Sequence, residues 1–302
     1  IIRASGRKIG LRQRSTMQES ISAPQVGGIV KLTGFILKTS LIIEMIGAAL
    51  LAPVFCNDLG IAKGLWYSLF HSISAFCNAG FDLFGIREPF SSLTFYHSNI
   101  YLNIIIMLLI ITGGIGFLVW GDIRTHKHRI RRFSLQSKVV LMTSAVLIVL
   151  PALYFFFYEY DRETIHDRTI HSLFQSVTTR TAGFNTTDLA AMDESGTAIM
   201  VILMLIGGSP GSTAGGMKTA TFAVLFLSAI TVLRRRNDVQ CFKRRISNEA
   251  VCSAGAVLFM YLVLFFTSGI IISRVENLPL LTCLFETSSA IGTVGLTLGI
   301  TS

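Results

Sequence analysis

The sequence predicts an all-α polytopic membrane protein built from repeated units, each a helix, a re-entrant hairpin and a second helix. Of its 302 residues, 51% are hydrophobic and only 14% are charged, whereas soluble domains are about one quarter charged. Several apolar runs without a central pair of charges are long enough for a hydrocarbon core that needs about 20 helical residues. They cover residues 100–120, 139–158, 199–233 and 250–273.

Three clusters of basic residues set the predicted orientation of these runs. The chain has a formal net charge of +9, and its basic residues concentrate within 3–14, 124–138 and 234–245. Short basic loops beside spans face the cytoplasm under the positive-inside rule, so the spans pair into hairpins. The expected spans, alternately outward and inward, are 29–55, 99–121, 139–158, 195–233 and 247–273. Nucleic acid is not an expected partner, because no loop joins its charges to stacking aromatic side chains.

Cysteines and histidines give no sign of a disulfide framework, a metal site or a catalytic centre. The five cysteines are odd in number and contain no CxxC pair, which argues against both disulfides and zinc. The six histidines do not form a ligand-spaced set with carboxylates, and no Ser/His/Asp set or HExxH motif stands out. We therefore predict that the chain is not an enzyme and needs no cofactor.

A short segment too polar to cross the membrane, yet too apolar for an ordinary outer loop, occurs after each outward span. Each copy begins with Leu-Phe and ends in small residues around a glycine, followed by a bulky apolar residue. The copies cover residues 69–81, 173–184 and 284–296. Their glycines, Gly80, Gly183 and Gly295, recur about one hairpin unit apart, which indicates internal duplication.

The repeated segments are suited to binding a dehydrated cation. A helix of about ten residues crosses only half the membrane, and non-helical backbone at that depth must be buried in protein or line a water-filled cavity. Carbonyl rings replace an ion's hydration shell in potassium filters, and residues 293–296 come close to the filter sequence TVGYG. The predicted potassium-binding residues are Cys77, Asn78, Ala79, Gly80, Thr181, Ala182, Gly183, Gly292, Thr293, Val294 and Gly295.

The span at 195–233 is nearly twice as long as one crossing requires, and glycines and a proline interrupt its middle. Proline removes a backbone donor, and each glycine costs a helix about 1 kcal/mol. We expect the helix to open there and the freed loop to act as a gate beneath the filter. The predicted gate residues are Gly207, Gly208, Ser209, Pro210, Gly211, Ser212, Thr213, Ala214, Gly215, Gly216 and Lys218.

Nucleotide binding is a rival interpretation of this interrupted segment, because residues 211–219 resemble the phosphate loop GxxxxGK[ST]. Met217 separates Gly216 from Lys218, and the segment lies within an apolar span rather than between a strand and a helix. Lys218 itself is either an interfacial side chain that snorkels outward or an electrostatic barrier or tether at the gate.

Three further charged residues lie within the apolar parts of the sequence. Arg180 is expected to hold pore-segment backbone or Glu286, because a cation would repel ions from a cation filter. Glu44 and Glu286 are expected to be structural ion-pair partners, with direct ion binding as the alternative.

Together these motifs resemble the Trk/Ktr/HKT superfamily of cation transporters, and the Ktr potassium uptake membrane subunit in particular. The matching segments are 76–82, 112–117, 179–185, 207–218 and 291–297. The resemblance implies four units around a pseudo-fourfold cation pore, each with one filter glycine. It also implies a multi-pass protein of the cell membrane, present as a homodimer on a cytoplasmic ring of nucleotide-binding regulatory subunits.

Three filters are visible, so the resemblance implies that the first unit's pore and the final helix lie outside this sequence. The expected division is a cytoplasmic basic segment at 1–28, the second pore unit at 29–121, a cytoplasmic loop at 122–138, the third pore unit with a broken inner helix at 139–233, a cytoplasmic loop at 234–246 and the truncated fourth pore unit at 247–302. One alternative is a sodium-permeable or sodium-coupled relative; another is a membrane enzyme or a structural membrane module.

Overall fold

The computed structural model describes residues 29–87, 91–127, 129–236, 238–242 and 244–300. The predicted basic segment 1–28 lies outside the described residues. Helices make up most of the described chain, and two two-residue strands form a small antiparallel hairpin. The helices are α1 (Ile29–Leu59), α2 (Ile61–Phe76), α3 (Ile100–Ile115), α4 (Phe117–His126), α5 (Leu135–Tyr154), α6 (Ile165–Thr178), α7 (Glu194–Leu205), α8 (Thr219–Leu233), α9 (Asn248–Glu276) and α10 (Leu280–Gly292), and the strands are β1 (Gln240–Cys241) and β2 (Arg244–Arg245).

Short helical turns and polar caps connect these helices. A π-helical turn at Phe155–Glu159 extends α5, and 3-10 turns lie at Phe84–Ile86, Thr94–Tyr96, Ile130–Arg132 and Leu189–Ala191. Asn99, Ser134, Thr164 and Ser247 each accept a backbone N–H at the start of α3, α5, α6 and α9, respectively. Such caps satisfy donors that a helix start leaves free.

Three helices in the described ranges are long and apolar enough to cross a membrane: Val30–Leu59, Leu135–Glu159 and Asn248–Glu276. The pair α3 and α4 makes a fourth crossing if it is counted as one broken span. The predicted opening of the fourth apolar run is confirmed, since α7 ends at Leu205 and α8 begins only at Thr219.

The predicted inward span at 99–121 is broken in the structure, a feature that was not predicted from the sequence. Helices α3 and α4 meet at Gly116 with a bend of 92°, and Gly116 has a φ of 97°. The bend frees backbone groups, which find new partners: Trp120 Nε1 donates to Thr112 O over 3.2 Å, and Phe117 N donates to Gly211 O over 2.7 Å. The break is thus stabilised by a distant segment.

The short helices α2 and α6 attach to their long helices in the same way, which supports internal duplication. Ser72 Oγ on α2 donates to Glu44 O on α1 over 2.7 Å, and Ser176 Oγ on α6 donates to Ile148 O on α5 over 2.6 Å. Donor and acceptor are 28 residues apart in both pairs. The matching hydroxyl of α10, on Thr287, bonds within its own helix to Cys283 O.

Two apolar clusters form the core. One joins α1, α2, α3 and α6 around the buried rings of Phe55, Phe76 and Phe174, and the other joins α5, α7, α9 and α10 around Phe155 and Phe285. The short helices therefore lie inside the protein, and long faces of α1 and α9 remain outside.

Close contact between α1 and α2 depends on Gly64. A Cβ atom added at Gly64 would lie 2.4 Å from Cys56 Cα, so Gly64→Ala should force the two helices apart. We expect a loss of about 1–3 kcal/mol of unfolding free energy, as overpacked cores show, measured as a lower thermal unfolding midpoint in detergent.

The matched control for this change is Gly255→Ala in α9, where an added Cβ meets nothing within 4 Å. We expect it to be neutral or to stabilise by about 0.5–1 kcal/mol, because alanine favours a helix over glycine. Equal midpoints for the two variants would contradict the close α1–α2 packing.

Candidate functional site

The three glycine turns come together at one place in the protein. They are named here the first turn (77–81), the second turn (180–184) and the third turn (292–296). A Cβ atom added at Gly80 would lie 2.4 Å from Ala182 O, and one added at Gly183 would lie 1.9 Å from Val294 O. The first turn thus contacts the second, and the second contacts the third, through backbone atoms that leave no room for a side chain.

All three turns share one unusual backbone pattern. A non-glycine residue with positive φ is followed two positions later by a glycine with positive φ. The φ values are 51° and 69° at Asn78 and Gly80, 75° and 81° at Thr181 and Gly183, and 56° and 91° at Thr293 and Gly295. A left-handed β-branched residue is a genuine outlier, and such strain clusters at functional sites. The repeated strain therefore points to this region as the site of function.

Hydroxyl groups from the preceding short helices hold the turns in this shape. Ser74 Oγ donates to Phe81 O over 2.8 Å, and Thr178 Oγ1 donates to Phe184 O over 2.6 Å. Ser289 Oγ instead accepts from Gly295 N over 3.1 Å. Sequence reasoning missed these residues, although a hydroxyl stands five or six positions before each glycine in the printed sequence.

The space between the first and third turns is open. A cavity of about 710 Å³ there is lined by Ala79 and Phe81 on one side and by residues 293–297 on the other. Phe81 is 70% exposed, whereas the residues at the same position in the other turns, Phe184 and Leu296, are buried. The second turn thus contacts the other two turns, which face each other across this cavity.

The 206–218 loop between α7 and α8 touches all three turns. Thr213 Oγ1 donates to Phe76 O over 2.8 Å, at the entry to the first turn, and accepts from Asn78 Nδ2 over 2.9 Å. A Cβ added at Gly216 would lie 3.4 Å from Thr181 Cγ2, and one at Gly215 would lie 1.8 Å from Thr293 Oγ1. The predicted gate residues therefore lie against the predicted filter.

Comparison with known proteins shows the family to which this chain belongs. A family model described as TrkH, cation transport protein, matches residues 5–302. The chain belongs to the TrkH family of cation transport proteins. It is 38% identical over 304 residues to the potassium/sodium uptake protein NtpJ of Enterococcus hirae, covering 98% of this chain and 66% of that protein. It is also 38% identical over 307 residues to the Ktr system potassium uptake protein B of Bacillus subtilis, covering 100% of this chain and 68% of that protein.

A solved structure shows the same fold. The potassium transporter TrkH from Vibrio parahaemolyticus matches with a TM-score of 0.74 and 17% sequence identity, over 95% of this chain and 60% of that one. Together with the apolar helices, this match establishes an all-α polytopic membrane protein, as predicted. The chain spans about two thirds of the length of the curated relatives it matches.

In this TrkH family member, the 206–218 loop is docked on the bend between α3 and α4. Ser209 N donates to Gly114 O over 3.0 Å, and Thr213 N donates to Gly113 O over 3.3 Å. Lys218 Nζ donates to Ala214 O over 2.7 Å. This bond agrees with the tether interpretation of Lys218. Ser209 N and Thr213 N are thus bonded to carbonyls instead of being free for phosphate, which weakens the nucleotide interpretation.

The expectation that Arg180 holds Glu286, and that Glu44 and Glu286 each take part in an ion pair, is wrong. Glu286 Oε1 accepts from Thr297 Oγ1 over 2.7 Å and from Leu298 N over 2.8 Å, so it fixes the chain after the third turn. Arg180 Nη2 instead donates to Ser144 Oγ of α5 over 3.3 Å. Within the described part of the chain, neither glutamate forms a salt bridge.

Among the described histidines, the rings of His97 and His171 lie against each other, with centroids 5.8 Å apart. His71 is buried next to the rings of Phe55 and Phe84, and its Nδ1 lies 2.7 Å from Tyr67 O. No group of three or more metal-ligating side chains occurs among the described residues.

Thr213→Val should loosen the 206–218 loop from the first turn. Valine keeps the shape but leaves Phe76 O and Asn78 Nδ2 without their hydroxyl partner, and unsatisfied buried polar groups cost about 1–3 kcal/mol each. We expect a lower thermal unfolding midpoint in detergent. Thr267→Val in α9 is the control, because its hydroxyl bonds only within its own exposed helix. A Thr213→Val midpoint no lower than that of the control would contradict the docking.

Proposed function

We propose that the chain forms three sides of a pore for potassium uptake, with the three turns as its selectivity filter and the 206–218 loop as its gate. The observation that carries the proposal is that the second turn contacts both the first and the third, and that all three share one strained backbone conformation. The names of two relatives, a potassium/sodium uptake protein and a potassium uptake protein, support the choice of ion.

The physical reason is the cost of dehydrating a cation. Moving a small ion out of water costs on the order of 20 kcal/mol in an idealised medium of low dielectric, and backbone carbonyls can replace the lost water. Helices α2, α6 and α10 end at Phe76, Thr178 and Gly292, directly before the three turns. Their C-terminal ends each carry about half a negative charge, which attracts a cation.

The open cavity of about 710 Å³ between the first and third turns is where we place a fourth filter segment. Gly295 faces this space, since a Cβ added there meets nothing within 4 Å. A further glycine turn at this position would complete the expected pseudo-fourfold pore and would cover Phe81. The division into pore units at 29–121, 139–233 and 247–302 belongs to the same proposal.

Sodium transport is the second candidate, because the name of one relative includes sodium. Three of the four proposed filter segments lie in this chain, and the fourth contributes equally to selectivity. Competition between sodium and rubidium during uptake distinguishes the two candidates.

The proposed surroundings are the cell membrane, a second copy of the chain and a cytoplasmic ring of nucleotide-binding subunits. The exposed apolar face of α9 suits lipid or a second copy, and the basic residues Arg234, Arg235 and Arg244 are exposed near the cytoplasmic hairpin. Nucleotides are proposed to bind the partner rather than this chain, which itself needs no cofactor.

Gly80→Ser tests the filter directly. The added Cβ would lie 2.4 Å from Ala182 O, and a left-handed backbone alone costs a non-glycine residue about 1–2 kcal/mol. We expect rubidium uptake into vesicles by the full-length natural protein to fall about tenfold or more, with stronger competition from sodium. Gly295→Ser should have the same effect, because Gly295 also has a positive φ, 91°, and its new side chain would enter the space proposed for the fourth filter segment.

Gly60→Ser is the matched control for these filter variants. Gly60 also has a positive φ, 81°, but an added Cβ meets nothing within 4 Å, and it lies outside the turns. It should transport and select as wild type. If Gly80→Ser and Gly295→Ser behave like this control, the assignment of the filter glycines is wrong.

Gly215→Ala tests the gate. Its Cβ would collide with Thr293 Oγ1 at 1.8 Å and push the loop away from the third turn, so we expect uptake to rise several-fold. Gly121→Ala in α4, where an added Cβ has no close neighbour, is the control. Unchanged flux in Gly215→Ala would remove the basis for a gate at this loop.

A further inference from the structure

Arg180 and Asn78 line a small, partly open cavity between the first and second turns. The cavity has a volume of about 20 Å³, and Ser144, Gly114 and Gly208 also contribute to its wall. Both side chains are more than nine-tenths buried, with 9% and 6% of their surfaces exposed. Two polar side chains of neighbouring turns thus line the same cavity.

Each side chain has one polar atom without a partner. Arg180 Nε and Asn78 Oδ1 are buried and make no hydrogen bond, although their other polar atoms bond to Ser144 and Thr213. Nε–H is a donor and Oδ1 is an acceptor, so their requirements are complementary. Buried polar atoms are nearly always satisfied, by protein or by ordered water, so two unsatisfied atoms that face one cavity need an explanation.

The size and chemistry of the cavity suit one water molecule. A cavity needs about 10–15 Å³ to hold a water, together with two or more polar partners, and this cavity meets both conditions. A cation does not suit it, because the guanidinium of Arg180 forms part of the wall. A water molecule can accept from Nε–H and donate to Oδ1 at the same time.

We propose that a single ordered water bridges Arg180 Nε and Asn78 Oδ1. Through this water, Arg180 is a positioning residue for the first turn as well as for the second turn, to which it belongs. The bridge completes a chain of hydrogen bonds from Ser144 through Arg180, the water and Asn78 to Thr213. It therefore joins α5, two of the turns and the 206–218 loop. Its effect on ion selectivity rests on the proposed function.

The bridge itself is tested by an experimental map of the full-length natural protein at a resolution that shows ordered water. One density peak within hydrogen-bonding distance of both Arg180 Nε and Asn78 Oδ1 is expected. An empty cavity, or a direct bond between the two side chains, would overturn the proposal whatever the protein transports.

The positioning role is tested with Arg180→Lys, which keeps the positive charge but lacks the Nε–H donor. We expect the preference for rubidium over sodium to fall about threefold or more, within the usual range of coupling between contacting residues. The double variant with Asn78→Ala should select no worse than Asn78→Ala alone, since either change removes the bridge. Arg87→Lys, at an exposed ion pair with Asp58, is the matched control and should behave as wild type.

The outcomes separate this inference from the proposed function. Absence of rubidium uptake by the wild-type protein would contradict the proposed function and leave the map as the test of the bridge. Normal wild-type uptake with an unchanged ion preference in Arg180→Lys would overturn the positioning role. A merely structural role would lower the amount of folded protein and the maximal rate without changing the preference. If Arg180→Lys does not fold, the ion preference of Asn78→Ala tests the positioning role and the map tests the bridge.

Discussion

Direct backbone contact between glycine turns is the constraint on which the rest of the structure depends. Gly80 lies against Ala182 O and Gly183 against Val294 O, at distances that exclude even one added carbon atom. Because the turns must meet this closely, α2, α6 and α10 have to end at the same depth and lie inside the long helices. The hydroxyl bonds from Ser72 and Ser176 to α1 and α5 hold two of these short helices in that position.

The contact is maintained against local strain. Thr181 and Thr293 have β-branched side chains at positive φ, a conformation that persists only where the surroundings over-determine it. Bonds from Thr178 and Ser289 on one side and the 206–218 loop on the other supply that restraint. A filter that must hold carbonyls at fixed spacing gains from such restraint, because a relaxed backbone would follow the ion instead of selecting it.

The sequence predicts the parts of this site that depend on local chemistry. Repeated glycines between apolar runs locate the turns, and Pro210 with its neighbouring glycines locates the break between α7 and α8. The bend at Gly116 was not predicted, because its glycines lie within an apolar run without a proline and its stabilising partner, Gly211 O, is distant in sequence. The partners of Glu286 were missed for a similar reason, since charge alone does not show that a carboxylate bonds to nearby backbone.

The backbone groups freed by the two helix breaks bond to each other, and this limits how the proposed gate can move. Phe117 N bonds to Gly211 O, and the carbonyls of Gly113 and Gly114 accept from Thr213 N and Ser209 N. If the 206–218 loop moved away from the turns by itself, these backbone groups would lose their partners inside the membrane. No bulk water replaces the lost hydrogen bonds there. The loop must therefore carry α4 with it, or admit water to the bend. Since α4 ends at His126 beside the basic loop predicted to be cytoplasmic, a force applied at that loop would reach the proposed gate through one short helix.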